Sequence, residues 1–528
     1  MRTAIAIALL VALPLVPAAL AGGATAALVG LPAESIAVVV VLRLLERRGA
    51  QVAVAVGFGL VVAVALALAG IDAGYEAALA IHFDPLDVQQ LGDAFGVLRG
   101  AIGGTAANAA VVLLVVAAAA VIAGLAWAAL RTSAAVGSAP RPGMIALTTA
   151  ATVWVLAGAT GVQVAGHPVA ATASLHAIAA SASHAADGIA AITDLPHRIA
   201  TDPYRDTPPT DLLTALRGKD VVIAFIESYG ETALQGGASS TGVDRVLRDG
   251  DARLSADGYG SRSAHLTSPT FGGLSWLAHS TLQTGLWVDR QPVYSRVIRS
   301  DRLTLSGAFA GAGWRTVGIV PSNTEPWPFG TSFYRFDTLL DATGMGYRGP
   351  AFGYARVPDQ YTWKVLADDV LAGDGQPVMA EVDLVSSHTP WAPLPELVPW
   401  SELGDGSIYR SQAAQGESAS DVWQDPVRVQ RAYAASIRYS LGAMLTFLHE
   451  TDDPDLVVVV LGDHQPATIV SGPGAGHDVP ISIISKDPAV LDAIDSWRWH
   501  EGLRPAADGP VWPMSDFRDR FLDAFSAR

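Results

Sequence analysis

The chain has 528 residues, half of them hydrophobic, with a mean hydropathy of +0.33 and a formal net charge of −16. This composition is too apolar for a wholly soluble protein of this length, and the acidic balance argues against nucleic acid as a partner. The sequence contains no cysteine, which excludes disulfide bonds and thiol chemistry.

The first third of the chain contains five long apolar runs that carry almost no charge. Each run is close to the length that crosses a bilayer as an α-helix. Transmembrane helices explain five such runs better than buried core helices do. The runs are Thr3–Ala21, Ala26–Leu42, Val52–Ile71, Ala106–Leu130 and Met144–Val164. We therefore predict a membrane domain of five transmembrane helices over residues 1–165.

Arginines predict how these helices are oriented, because basic residues that flank membrane helices stay in the cytoplasm. If the five helices alternate in direction, six arginines lie on the same, cytoplasmic side of the membrane. They are Arg2, Arg43, Arg47, Arg48, Arg131 and Arg141. The carboxyl-terminal part of the chain is then extracytoplasmic. Residues 1–21 also fit a cleavable signal peptide, and cleavage would leave four helices and the same outer location.

Charge separates the membrane domain from the rest of the chain. Residues 1–170 contain seven arginines, no lysine and seven acidic residues, so the net negative charge belongs to residues 171–528. Residues 166–215 are rich in Ala, Ser, Thr and His, and we predict a connecting helix and linker there. The four histidines of this segment are irregularly spaced, and solvated surface residues explain them better than metal ligands do.

Residues 216–528 alternate between predicted strands and predicted helices. The strand candidates are Val221–Ile226, Thr316–Val320, Val378–Leu384, Leu456–Leu461 and Val479–Ile484. The helix candidates include Ser275–Gln283, Val427–His449 and Asp516–Phe525. This alternation predicts one α/β domain with a mainly parallel central sheet and helices on both faces.

Two of the predicted strands are followed by residues that ligate metals. Glu227 comes directly after the first strand, and Asp463 and His464 come after the strand that begins at Leu456. Because the carboxyl ends of parallel strands meet at one edge of a sheet, we expect these side chains in a single crevice. Carboxylate and imidazole groups together suit Mn²⁺ or Zn²⁺.

A third stretch supplies an oxygen nucleophile. Ser275 lies where a loop becomes a helix, since Gly272 and Gly273 permit a bend and an apolar pattern of helical period follows. A hydroxyl there is close to the free N–H groups of the first helical turn, which favour a developing alkoxide. The alternative is that Ser275 is only the N-cap residue of the helix.

Taken together, the three stretches resemble the alkaline phosphatase and sulfatase superfamily over about residues 216–490. In that superfamily a strand-end acid, a helix-start nucleophile and a late Asp-His pair bind the catalytic metal. The sulfatase pattern has a Leu-x-Thr-Gly turn whose glycine follows the nucleophile by ten residues, and Gly285 follows Ser275 by ten. The resemblance implies an alkaline phosphatase-like fold and one divalent ion, Mn²⁺ or Zn²⁺. The implied ligands are Glu227, Ser275, Asp463 and His464.

Five helices before such a domain resemble the arrangement of the lipoteichoic acid synthases. Those enzymes use Thr as nucleophile, so Ser275 is a departure from their pattern. Thr270 is the alternative nucleophile, although it lies five residues too far from Gly285 for the sulfatase register.

Three further residues have counterparts in related enzymes and are implied to contact substrate. The SSHTPW loop resembles the Asn-His-x-Pro-aromatic loop of lipoteichoic acid synthase-like enzymes and makes His388 a second catalytic candidate. His477 resembles the second histidine of lipid-A phosphoethanolamine transferases. Trp327 resembles the Trp of a Trp-x-Arg segment, but Phe329 stands where that segment has its phosphate-binding Arg.

The sequence therefore predicts a metal-dependent phosphotransferase that is anchored in the cell membrane and active outside it. A phospholipid donates its head-group phosphate, phosphoglycerol- or phosphoethanolamine-like, through a phospho-serine intermediate. A glycan or lipid of the cell envelope accepts it, and neither nucleotide nor nucleic acid takes part. The alternatives are a sulfuric ester hydrolase or phosphodiesterase of the same superfamily and, outside enzymes, an inactive membrane scaffold. The sulfatase alternative is weakened by His279, because formylglycine formation needs Arg four residues after the nucleophile.

Overall fold

The computed structural model describes residues 1–22, 31–79, 82–87, 104–138 and 170–527 except 374, together with scattered positions between 145 and 168. The chain divides into two compact units. The first comprises residues 1–77 and 81–191, and the second comprises residues 192–528 together with the short segment 78–80. Each unit is described separately.

The first unit is helical. Its helices and the connecting helix that follows are α1 (Arg2–Gly22), α2 (Ala33–Leu44), α3 (Arg48–Leu79), α4 (Gly104–Gly137) and α5 (Ala173–Ala200). Leu10, Leu42, Val62 and Leu125 belong to a common apolar core. Within the described residues, α1, α3 and α4 are long and apolar enough to cross a bilayer, and they indicate a membrane protein.

The predicted count of five transmembrane helices is not confirmed. Helix α2 has 12 residues, or about 18 Å at the α-helical rise, which is short of the roughly 30 Å of a bilayer core. Residues 23–30, where that predicted span begins, lie outside the described part of the chain. Nine of the 21 residues of the fifth predicted span, Met144–Val164, also lie outside it.

The second unit is built on a mixed sheet. Over the described residues after 192 this sheet has nine strands. They are β1 (Asp220–Ile226), β2 (Gly260–Thr267), β3 (Arg315–Val320), β4 (Thr338–Asp341), β5 (Val378–Leu384), β6 (Leu456–Gly462), β7 (Asp478–Ser485), β8 (His500–Glu501) and β9 (Val511–Pro513). The order across the sheet is β8-β2-β7-β6-β1-β5-β3-β4, with β9 paired to β2.

The predicted parallel sheet is confirmed for its central part only. Strands β6, β1, β5, β3 and β4 run parallel, whereas β7 is antiparallel to both β6 and β2. All five predicted strands are present to within one residue at each end. The prediction omitted β2, β4, β8 and β9; in β2, Ser261, Arg262 and Ser263 interrupt the apolar pattern.

Helices cover the sheet. They are α6 (Val243–Ala256), α7 (Ser275–Thr284), α8 (Gln291–Val297), α9 (Leu305–Ala312), α10 (Pro328–Ser332), α11 (Asp359–Val365), α12 (Arg410–Gln415), α13 (Ala419–Val422), α14 (Pro426–Thr451), α15 (Thr468–Ser471), α16 (Pro488–Asp492) and α17 (Phe517–Phe525). Asp425 caps α14 by accepting a hydrogen bond from Val427 N, and Pro426 occupies the first turn. This helix buries Ile437, Leu441 and neighbouring apolar residues in the main core.

The ends of β1 and β6 define the edge at which the candidate site forms. The two strands are parallel and in register, so Ile226 pairs with Gly462 and the next residues, Glu227 and Asp463, emerge side by side. A Cβ on Gly462 would lie 1.9 Å from the carbonyl oxygen of Tyr229, so the close approach of the two chain segments requires glycine there.

Candidate active site

Three predicted metal ligands converge at this edge. His464 Nε2 lies 3.2 Å from Glu227 Oε1 and 3.4 Å from Asp463 Oδ2. The donor atoms of all three residues lie within 4.8 Å of one another, and all three side chains are buried. The arrangement follows from two parallel strands ending together, as the sequence pattern predicts.

Ser275 joins this group from a third element. It is the first residue of α7, and its Oγ donates a hydrogen bond to Glu227 Oε2 at 3.0 Å while lying 3.2 Å from His464 Nε2. Leu274 occupies the N-cap position, in the left-handed region at φ 65°. The N-cap interpretation of Ser275 is therefore wrong: its hydroxyl points to Glu227 and His464.

The hydrogen bonds of the ligand residues fit a divalent cation. Asp463 Oδ1 accepts hydrogen bonds from Ser228 N and His464 N, whereas Oδ2 is buried and has no hydrogen-bond partner within the described chain. His464 Nδ1 donates to the Gln465 carbonyl at 2.8 Å, which directs Nε2 toward the other ligands. An ion bound by Nε2 and Oδ2 would satisfy the buried carboxylate oxygen, so the residues fit Mn²⁺ or Zn²⁺.

The electrostatics of the group are strongly coupled. Burial by itself would raise the pKa of Glu227, but the adjacent His464 imidazolium holds that pKa well below its usual range. Burial and the Glu227 carboxylate raise the pKa of Asp463 to about 7. Burial would lower the pKa of His464, but Asp463 and Glu227 outweigh it and raise the value to about 9. Without a cation, protons thus occupy positions that a metal ion would take.

Several supporting residues had no signal in the sequence. Ser387 Oγ donates to the Glu227 carbonyl at 2.6 Å, and Tyr433 OH donates to the Ser228 carbonyl at 2.8 Å. Ser228 itself has a left-handed backbone, with φ 59°. These contacts fix the turn that carries Glu227, and they come from positions far along the chain that no local pattern connects.

His388 lies beside the group in a loop that follows β5. Its ring stacks on that of half-exposed Tyr354, with centroids 3.7 Å apart and planes 14° apart. His388 Nδ1 donates to the Thr389 carbonyl, so Nε2 is the nitrogen available to a substrate. Its charge is among those that lower the pKa of Glu227, which brings the imidazole within electrostatic reach of the predicted ligands.

His477 and Thr270 connect to the group through Ser268. His477 Nδ1 donates to the Ser268 carbonyl at 3.2 Å, and Ser268 Oγ donates to the Asp463 carbonyl at 2.6 Å. Thr270 is buried, and its Oγ1 lies 3.4 Å from Ser268 Oγ. The hydroxyl in direct contact with Glu227 and His464 is that of Ser275.

Trp327 lies in an aromatic cluster. Its ring centroid is 5.2 Å from that of buried Tyr334. Phe329, at the position of the expected Arg, has the Arg299 guanidinium 5.7 Å from its ring centroid. These contacts explain both aromatics by packing, and a substrate contact of Trp327 stays a prediction.

No family model and no curated protein matches the chain. Several solved structures do. The lipooligosaccharide phosphoethanolamine transferase A of Neisseria meningitidis, an integral membrane protein, is 15% identical, with 93% of this chain and 92% of that chain covered and a TM-score of 0.46. The lipoteichoic acid synthase LtaP of Listeria monocytogenes is 14% identical, with coverages of 60% and 74% and a TM-score of 0.36. The phosphoglycerol transferase GacH of Streptococcus pyogenes is 13% identical, with coverages of 64% and 81% and a TM-score of 0.39.

Proposed function

We propose that this protein is a membrane-anchored, metal-dependent phosphotransferase of the alkaline phosphatase and sulfatase superfamily. It transfers a phosphoglycerol- or phosphoethanolamine-like head group from a phospholipid to a glycan or lipid acceptor of the cell envelope. One observation carries the proposal: Ser275 Oγ lies 3.0 Å from Glu227 Oε2 and 3.2 Å from His464 Nε2. A hydroxyl held between a carboxylate and an imidazole, in a set of metal ligands, has the surroundings of an activated nucleophile.

The metal site has four protein ligands in this proposal. Glu227, Ser275, Asp463 and His464 would hold one Mn²⁺ or Zn²⁺ ion, and the ion would supply positive charge that lowers the pKa of the Ser275 hydroxyl. The buried Asp463 Oδ2, which has no hydrogen-bond partner in the described residues, supports this assignment.

The first half of the reaction forms a covalent intermediate. Deprotonated Ser275 Oγ attacks the phosphorus of the donor phosphodiester, and the bond from phosphorus to the diacylglycerol oxygen breaks. Protonated His388 gives its proton to that oxygen, and diacylglycerol leaves. The head-group phosphate is then esterified to Ser275.

The second half transfers the head group and restores the enzyme. An acceptor hydroxyl attacks the same phosphorus, and neutral His388 takes the hydroxyl proton. The bond between phosphorus and Ser275 Oγ breaks, which regenerates the serine alkoxide and the imidazolium. His477 holds phosphate oxygens in both halves, and Trp327 contributes a contact to the head group.

The arginine distribution supports a catalytic domain outside the cytoplasm. A phospholipid donor suits such a location, because no nucleotide is needed there. The net negative charge of residues 171–528 gives no general attraction to anionic lipid, so the donor must be bound by local contacts.

The test uses the purified full-length protein with phosphatidylglycerol and phosphatidylethanolamine labelled in the head group. We expect release of diacylglycerol from one of these lipids, transfer of the label to an acceptor, and loss of both activities in Ser275→Ala. Label appearing only as free head-group phosphate would indicate a phosphodiesterase. Turnover of sulfate esters with formylglycine at position 275 would indicate a sulfatase. A metal-free protein without turnover would favour the scaffold.

A further inference from the structure

A second group of metal-ligating side chains lies one helical turn beyond Ser275. It consists of His279, Glu381 and Asp383, whose donor atoms lie within 4.8 Å of one another. His279 follows Ser275 by four positions on α7, so the two side chains share one face of the helix. Glu381 and Asp383 are two positions apart on β5, so their side chains point to the same face of the sheet.

The distances within this group suit an ion better than direct hydrogen bonds. His279 Nδ1 lies 3.5 Å from Asp383 Oδ1 and 3.7 Å from Glu381 Oε1. Both separations exceed those of good N–H···O hydrogen bonds. Ligand atoms around a tetrahedral ion with bonds of 2.0–2.2 Å are about 3.3–3.6 Å apart. The two separations from His279 Nδ1, 3.5 and 3.7 Å, are close to that spacing.

The surroundings hold these side chains in place and leave one oxygen of Asp383 unsatisfied. Glu381 Oε2 accepts a hydrogen bond from Gln283 Nε2, which leaves Oε1 on the side of His279. Asp383 Oδ1 is buried and has no hydrogen-bond partner in the described part of the chain. The His279 ring stacks on Phe225, with centroids 3.8 Å apart and planes 15° apart. A buried carboxylate oxygen without a partner is costly unless a cation satisfies it.

The charge balance around α7 gives an independent reason. Four carboxylates lie near the start of α7, and within the described chain they form ion pairs with two side chains only. The carboxylates are those of Glu227, Glu381, Asp383 and Asp463, and the two partners are His279 and His464. One divalent ion at Glu227 and Asp463 offsets those two carboxylates and leaves Glu381 and Asp383 without a full counter-charge. Buried carboxylates in such a position either stay protonated or bind a cation.

We propose that His279, Glu381 and Asp383 bind a second divalent cation, Zn²⁺ or Mn²⁺, next to the Glu227 site. The mixed imidazole and carboxylate ligands suit both ions. The ion links α7 to β5, and it therefore fixes the helix whose first residue is Ser275. This site goes beyond the proposed function, which requires one ion only.

The experiment measures metal on the full-length protein, dialysed against Zn²⁺ or Mn²⁺ and then against metal-free buffer. The bound metal, measured by elemental mass spectrometry, should amount to two equivalents per chain for the wild type. It should amount to one equivalent per chain for His279→Gln and for Asp383→Asn. His265→Gln is the matched control, because His265 is a buried histidine with an unpartnered Nε2 outside the cluster, and it should retain two equivalents. One equivalent in the wild type, or two in both cluster variants, would overturn the proposal.

A crystallographic measurement on the wild type covers the case in which the variants do not fold. Anomalous scattering at the zinc or manganese edge should give one peak among Glu227, Asp463 and His464 and a second among His279, Glu381 and Asp383. A single peak at the first group overturns the second site.

These readouts separate this proposal from the proposed function. Two bound ions without release of diacylglycerol would leave the second site standing and contradict the phosphotransferase. One bound ion with full transfer activity would contradict the second site and agree with the phosphotransferase.

Discussion

Ser275 Oγ and Glu227 Oε2 lie 3.0 Å apart, although 48 positions separate the two residues in the chain. Glu227 directly follows strand β1 and Ser275 is the first residue of α7, so a regular element adjoins each position. Leu274 and Ser228, their immediate neighbours, both have left-handed backbones. Strained non-glycine residues of this kind concentrate at functional sites, where the surrounding structure enforces them.

Removal of the Ser275 hydroxyl should abolish transfer without unfolding the protein. We expect Ser275→Ala to reduce diacylglycerol release by at least about 10³-fold, because no other hydroxyl contacts both Glu227 and His464 among the described residues. The free energy of unfolding should change by less than about 1 kcal/mol, since the hydroxyl does not cap α7. Lipid turnover and thermal unfolding measure the two effects.

Two hydroxyl variants control this result. Ser280→Ala, on the same helix, should keep its activity, and Thr270→Ala should lose little. An acceptor-starved enzyme should carry the donor head group as a phosphoester on Ser275. A phosphoester on Thr270, with an unmodified Ser275, would move the nucleophile to that position.

Metal affinity should rise with pH. Glu227 is ionised already, but in the metal-free site Asp463 and His464 keep protons up to pKa values of about 7 and about 9. An ion must displace those protons, so acidification from pH 8 to pH 6 weakens binding. Chelator competition at the two pH values measures the affinity, and calorimetry in two buffers measures the protons released. An affinity equal at both pH values would refute the assignment of His464 as a ligand.

Loss of the His388 imidazole should slow transfer but spare the metal. We expect His388→Gln to lower turnover by about 10²–10⁴-fold, the range typical of general acid–base catalysis. Its metal content should equal that of the wild type. His449→Gln removes an exposed histidine paired with Asp257 and should leave turnover unchanged. Metal lost with His388 would assign that residue to the ligand set instead.

Asp359 should make the folded state less stable at alkaline pH. Burial raises the pKa of this carboxyl from 3.8 to about 6, so the folded state binds the proton more tightly than the unfolded state. Its contribution to stability is present below about pH 4 and is lost as pH rises through 6. Asn at this position can accept from Ser386 N and donate to Ser440 Oγ, and both of these groups hydrogen-bond to the Asp359 carboxylate.

Asp359→Asn should therefore raise the free energy of unfolding at pH 8 by on the order of 1–3 kcal/mol and change it little at pH 4. Thermal unfolding of the variant and the wild type at both pH values provides the comparison. An equal difference at the two pH values would show that folding does not raise the pKa of Asp359.

The orientation of the chain is testable by reporter fusions. A reporter fused after Arg528 should be active only outside the cytoplasm, and one inserted near Arg141 only inside, because the arginines flanking the apolar runs are expected in the cytoplasm. Activity of an enzyme that needs an oxidising compartment is the measurement. A cytoplasmic signal from the fusion at Arg528 would contradict the whole mechanism.

Local sequence patterns were sufficient for five of the nine strands that the structure describes in the second unit. Apolar runs rich in β-branched residues predict β1 and β6, because a strand buried on both faces is apolar almost throughout. Motif order and spacing also suffice to nominate Glu227, Ser275, Asp463 and His464. The polar strand β2 was not predicted, because it is buried by pairing with β7, β8 and β9, and these strands are distant in the sequence.

Only the tertiary structure decides how side chains from separate elements meet. Whether Ser275 is an N-cap or a partner of Glu227 depends on where α7 begins relative to the end of β1, and no local pattern contains that relation. The same holds for His279, which the sequence marks only as a departure from the sulfatase pattern. Its proximity to Glu381 and Asp383 arises because α7 packs over β5, more than 100 positions later in the sequence. Periodicity records which face of an element is buried, whereas the identity of the neighbour that buries it is a property of the folded chain.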